Sequence, residues 1–67
     1  MPYVNIKITR EGATTEHKTQ LITGVTELLR DLFGKDPATT VVGIDEEETD
    51  NWGIGGQSVT LRRQQGS

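Results

Sequence analysis

The sequence predicts an α+β fold: a β-α-β unit with a parallel strand pair, closed by a C-terminal β-hairpin. Three features of the chain carry that expectation. The opening run "PYVNIKIT" alternates apolar with polar residues, a long stretch follows whose apolar residues form one helical stripe, and a second short apolar run precedes a glycine-rich close. Alternation with a period of two marks a half-buried strand, and a period near 3.6 marks an amphipathic helix. Strand, helix and strand joined in so few residues make a parallel pair with a right-handed crossover.

The first strand spans Pro2 to Thr9, with Val4, Ile6 and Ile8 alternating with Tyr3, Asn5 and Lys7. Proline at its head is tolerated because the first position of a strand need not join the ladder. "REGATT" breaks the pattern with Gly12 and a threonine pair, and Thr14 or Thr15 is the expected N-cap, with Glu16 placing negative charge in the first helical turn. The helix runs from Thr15 to Phe33, about 28 Å at 1.5 Å per residue. Leu21, Ile22, Val25, Leu28, Leu29, Leu32 and Phe33 make its apolar stripe. Gly34 ends it as a C′ residue, and Pro37 lies just beyond.

"ATTVVGID" is the expected second strand, its apolar residues nearly continuous as if covered on both faces. The acidic run from Asp45 to Asp50 reads as a solvated loop. In "NWGIGGQSVTLRR", Gly53, Gly55 and Gly56 bracket Ile54 and predict a tight turn or short hairpin, after which Val59 and Leu61 alternate with Thr60 and Arg62 as a last short strand. Residues 64–67 read as a frayed tail.

The bulk properties narrow the possibilities. A chain of 67 residues is expected to form a single domain, residues 1–67, with a small core. Small scaffolds gain stability from disulfides, a metal or oligomerisation. There is no cysteine and His17 is the only histidine, so disulfides are excluded and a structural zinc site has no ligand set. One helix cannot cover both faces of the sheet, which again points to self-association. A net charge of −3, with basic residues adjacent only at Arg62 and Arg63, argues against nucleic-acid binding. No apolar stretch approaches the roughly 18 residues of a membrane span, and no signal pattern precedes the first strand. The expected location is the cytoplasm.

Conventional catalytic sets are missing, since one histidine and no cysteine allow neither a Ser-His-Asp nor a Cys-His arrangement. "GIGG" lacks the spacing of a dinucleotide-binding fingerprint and reads as turn geometry. His17 reads as an exposed residue of the first helical turn. Pro2 is different. With Met1 removed it becomes a secondary amine held on a rigid strand. An α-amino group has a reference pKa of about 7.7–8.0. Desolvation or a nearby cation lowers that value, and a base with a pKa near the working pH is the most effective.

"PYVNIKI" behind Met1, "EGATTEHK" opening the helix and "NWGIGG" before the expected last strand resemble, in order and spacing, the short-subunit 4-oxalocrotonate tautomerases of the tautomerase superfamily. With the intervening helix and second strand the resemblance covers residues 2–63. It implies the β-α-β fold with a terminal hairpin, assembly as a homohexamer (a trimer of dimers), and no cofactor. It also implies a tautomerase acting on a small enol or unsaturated keto acid, with Pro2 as general base and acid. Trp52, just before "GIGG", would help wall an apolar substrate pocket, against the plainer reading of simple packing.

The departures from the pattern are specific. The founding members carry an arginine after the "EG" of the first loop, where this chain has Ala13, and another in the second strand, where it has Val41 or Val42. Those arginines bind and polarise the substrate, so a diacid substrate is in doubt. Arg10 reads as a replacement displaced by a one-residue insertion. It lies eight residues beyond Pro2, which on a straight strand is about 26 Å, so it could serve only a neighbouring subunit's site. Arg62 and Arg63 are candidates by the same route, each against the plainer reading of a solvated charge. Two rival functions follow. One keeps the site for decarboxylation or hydration, with a cationic proline as acid. The other is a non-catalytic structural oligomer in which Met1 stays on and acylates Pro2.

Overall fold

A computed structural model describes residues 1–66 of the chain. Strand β1 (Tyr3–Thr9) leads to helix α1 (Thr15–Phe33) and then to strand β2 (Val41–Glu47). The strands pair in parallel, in register from Tyr3 opposite Val41 to Thr9 opposite Glu47. The pairing extends one residue upstream, where the Val41 amide donates to the carbonyl of Pro2 at 3.0 Å. At the other end the Arg10 amide donates to the Glu47 carbonyl at 2.8 Å.

Helix α1 has the limits that its caps dictate. Thr14, in extended conformation, accepts the His17 amide on its hydroxyl at 3.1 Å, while His17 Nδ1 accepts the Thr14 amide at 3.2 Å. This is a capping box with histidine in the place usually held by glutamate. His17 is exposed, as its position in the first turn predicts. At the far end Gly34 takes φ 66°, a left-handed conformation that glycine adopts at no steric cost, and its amide donates to Arg30.

Two expectations for the middle of the chain need correction. The second strand does not start at Ala38. Asp36 caps a 3-10 turn over Pro37–Thr39, accepting the Ala38 amide at 2.9 Å, and pairing begins at Val41. Nor is Asp45–Asp50 all loop. Asp45, Glu46 and Glu47 belong to β2, and a further 3-10 turn covers Thr49–Asn51. Each of the first two acids has a cation: Asp45 meets Lys7 at 3.0 Å, and Glu46 is paired with Lys18 of α1. Cross-element ion pairs, which no local pattern reveals, let this acidic run extend.

The close of the chain also departs from expectation. Strands β3 (Gly53–Ile54) and β4 (Gln57–Ser58) form an antiparallel hairpin of minimal length. Its two turn residues, Gly55 and Gly56, have φ of 62° and 86°, the left-handed pair that a tight hairpin turn requires. Residues Val59–Leu61, expected as a strand, instead open helix α2 (Val59–Gln64). The cause is local: Ser58 is an N-cap whose hydroxyl accepts the Leu61 amide at 3.1 Å. A three-residue alternation is too short to outweigh a cap. Of the tail expected at 64–67, Gln64 closes α2, the Gln65 amide donates to Leu61 at 3.1 Å, and Ser67 lies outside the described residues.

The chain by itself leaves its core unfinished. Val4, Ile6 and Ile8 of β1 are half-buried together with Val42 and Ile44 of β2 and Val25 and Leu29 of α1. None of the described residues is fully buried. Leu28, Leu32 and Phe33 of the helix stripe stay 55%, 66% and 67% exposed, and Tyr3 on the other sheet face is 68% exposed. So β2 is covered on one face only, not on both. The radius of gyration is 15.4 Å, against about 11 Å for a compact chain of this length. Among the described residues, no helix is long and apolar enough to cross a membrane.

Candidate active site

Pro2 stands at the head of β1, half-buried, with its carbonyl tied to Val41. Proline offers no amide hydrogen to the ladder, so only its carbonyl joins the pairing. Pro2 is thereby fixed to the sheet while its nitrogen plays no part in the hydrogen bonding of the fold.

Trp52 lies at the other end of the sheet. Its amide donates to the Thr49 carbonyl at 3.4 Å and its carbonyl accepts the Val59 amide at 2.7 Å. The hydroxyls of Thr49 and Thr60 share a hydrogen bond at 2.5 Å and lock the 3-10 turn against α2. Trp52 is half-buried between these elements. It walls an open cleft of about 490 Å³ together with Ile8 and Thr9 of β1, Ile54 of the hairpin and Val59 of α2. That volume falls in the usual range for small-molecule sites, about 300–1,000 Å³. The charged residues of the cleft are Lys7, Glu11 and Arg63.

The arginines named from the sequence separate clearly. Arg10 is held by two carboxylates, Glu48 at 2.8 Å and Glu46 at 3.9 Å, and does not line the cleft. Arg62 lies over the hairpin turn, where a Cβ built on Gly55 would come 3.7 Å from its Nη1. Arg63 does line the cleft, where it is paired with Glu11. The fold therefore brings Trp52 and Arg63 together and leaves Arg10, Arg62 and Pro2 elsewhere. Ile8 is six residues along β1 from Pro2, which is about 20 Å at the strand rise. Within one chain, Pro2 cannot reach the cleft.

The electrostatics follow from these pairs. The Thr9 hydroxyl, and next to it Arg63, hold the Glu11 carboxyl below its usual range. Asn5, whose amide donates to Asp45 at 3.0 Å, and then Lys7 do the same for the Asp45 carboxyl. The Asp45 carboxylate raises the pKa of Lys7 in return. Lys7 and Asp45 thus satisfy each other on the open sheet face, while Glu11 and Arg63 form the cleft's own pair.

Nothing in the sequence pattern marks Glu11, Lys7, Ile8 or Val59 as a residue of the site. For Glu11 no local signal was available, because its partner Arg63 is 52 residues away along the chain. The helical turn at Val59–Gln64, which swings Arg63 back over the end of β1, is the feature that creates the contact.

Comparison with known proteins places the chain's sequence and fold. Residues 2–62 match the family model described as tautomerase enzyme. The chain is 72% identical to a probable tautomerase of Dickeya dadantii over the full length of both. Among solved structures it is similar to DmpI from Helicobacter pylori, with a TM-score of 0.88, 46% identity, and 94% and 97% of the two chains covered. It is also similar to a heterohexamer 4-oxalocrotonate tautomerase from Chloroflexus aurantiacus, with a TM-score of 0.81, 27% identity, and coverage of 90% and 95%.

Proposed function

The chain belongs to the tautomerase enzyme family, and on that premise we propose that it is a keto-enol isomerase of small enol or unsaturated keto acids, with the amine of Pro2 as base and acid once Met1 is removed. The observation that carries the reading is the division of the site along β1. Pro2 is fixed at one end of the strand and the apolar cleft of Trp52 and Ile8 lies at the other. Neither is complete alone. In a homo-oligomer of the hexameric type, Pro2 of one chain meets the cleft of another. The exposed helix stripe and the open sheet face of the isolated chain support such an assembly.

The chemistry is a proton transfer between the two ends of a conjugated system, from oxygen to carbon for an enol and from carbon to carbon for an unsaturated keto acid. The neutral amine of Pro2 takes the proton from the enol or from the carbon next to the carbonyl. The ammonium so formed returns it to the other end of the conjugated system. The apolar walls of the cleft exclude water and favour the neutral amine, because desolvation disfavours the ammonium. No cofactor is needed for this sequence of steps, and it takes place in the cytoplasm.

The test compares processed protein, its Met1 loss verified by intact mass, with the Pro2→Ala variant. Phenylenolpyruvate is the substrate. Alanine keeps an α-amine but a primary one without the ring that fixes its position, and a misplacement of about 1 Å can cost about 10²-fold, so the variant should lose about 100-fold in kcat/KM. Equal rates for the two proteins would refute the assignment.

A further inference from the structure

We propose that Arg63 anchors the single carboxylate of a monoacid substrate and that Glu11 beside it turns away a second carboxylate. The substrate class so named is an enol or keto monoacid with an apolar remainder. The inference rests on the tautomerase reading for its chemistry, but its binding logic is independent of turnover.

An ionised carboxylate entering an apolar cleft needs a cation and hydrogen-bond donors there. Arg10 is already held by Glu46 and Glu48, and Arg62 lies over the hairpin turn. Lys7 lines the cleft, but its ammonium is turned to Asp45, 3.0 Å away on the open sheet face. Arg63 remains. Among the described residues its one hydrogen-bond partner is Glu11, reached through Nη2 alone. A guanidinium has five donors in a planar fork, so most of the fork stays available for a ligand carboxylate. Ile54, Val59 and Trp52 stand beside it to receive the uncharged part of the ligand.

Glu11 sets the limit on charge. One of its carboxylate oxygens is paired with Arg63, and the other accepts the Thr9 hydroxyl. It therefore stands next to any anion that Arg63 binds. A first carboxylate is attracted by the guanidinium. A second would face Glu11, with no further cation of the same chain free among the described residues of the cleft, and like charges held a few ångströms apart repel.

A matched set of non-isomerising ligands tests this by calorimetry: cinnamate, its methyl ester, and benzylidenemalonate, which adds one carboxylate to the same skeleton. Cinnamate should bind at least about tenfold more tightly than benzylidenemalonate. A hydrogen bond to a charged group corresponds to about 10- to 150-fold in affinity, so Arg63→Gln should weaken cinnamate by that factor. The same variant should leave the ester within about twofold, an energy well below that of one such bond. Arg63→Lys should recover part of the loss, with oligomer mass unchanged in both variants. Glu11→Gln should bring benzylidenemalonate to within about threefold of cinnamate. Equal weakening of acid and ester by Arg63→Gln would overturn the anchor, as would no weakening of either. Equal binding of monoacid and diacid by the unaltered protein would overturn the role of Glu11. Since binding requires no turnover, the expected binding pattern without isomerase activity would uphold the anchor and refute only the tautomerase reading.

Discussion

The carbonyl of Pro2 accepts the amide of Val41 at 3.0 Å, one residue upstream of the first registered pair of the parallel sheet. This bond fixes the residue proposed as base to the second strand without using its nitrogen. A proline at a strand head is unremarkable in a sequence. Here it stands immediately before β1, and its covalent structure excludes its nitrogen from the ladder. The pairing of the sheet thus orients the proposed base and leaves its nitrogen outside the hydrogen bonding of the fold.

Assembly is the first expected outcome. The exposed stripe of α1, on a chain with a radius of gyration of 15.4 Å, is what the proposed assembly would cover. Light scattering at micromolar concentration should give a mass several times 7.4 kDa. A folded, stable 7.4 kDa monomer would contradict a site shared between chains.

The capping box of α1 gives a second. Thr14→Ala removes the acceptor for the His17 amide, and loss of such a cap costs about 1 kcal/mol. For a chain of this size that lowers Tm by about 4–8 °C. Thr14→Ser retains the hydroxyl and should stay close to the unaltered protein. If Ala and Ser melt together, the cap contributes nothing.

Acid should weaken the fold through Glu46. Its carboxyl is held below the ordinary range by the hydrogen bond from Lys18, with smaller contributions from the charges of Lys18 and Arg10. A carboxyl with a lowered folded pKa stabilises the fold above its unfolded value, about pH 4.3, and that stability is lost as pH falls through the folded value. Urea unfolding at decreasing pH should show the decline below about pH 4.3, and Glu46→Gln should flatten it. A slope unchanged by the substitution would assign the acid sensitivity to other groups.

Much of the fold is legible in the sequence itself. The limits of α1 follow from Thr14 and Gly34, and β1 follows from its alternation, because both signals are local and strong. The close of the chain is not. Val59 and Leu61 alternate like a strand, yet the Ser58 cap turns them into a helix. The pairs Glu46–Lys18 and Glu11–Arg63 span 28 and 52 residues, and no periodicity reports them. Hence the sequence pattern puts Arg10 first among the candidate cations, as a residue serving a neighbouring chain, whereas in the fold it is Arg63 that lines the chain's own cleft while two carboxylates hold Arg10 outside it.

The hairpin turn supplies a further outcome. Gly56 has φ 86° and open space where a Cβ would lie, so Gly56→Ala is penalised by backbone strain alone. That strain costs about 1–2 kcal/mol. Since the hairpin leads from Trp52 to Val59, the variant should also weaken cinnamate binding. Full stability and unaltered binding would show that the turn tolerates an L-residue.

The most direct measurement is an NMR titration of the processed protein with nitrogen-15 in proline. The account predicts an amine signal from Pro2 that titrates at or below the ordinary α-amino range of about 7.7–8.0. Its midpoint should coincide with the pH at which kcat/KM for phenylenolpyruvate rises. An amide signal at Pro2 with no titration, or an amine whose midpoint differs from that of the rate profile, would contradict a catalytic proline.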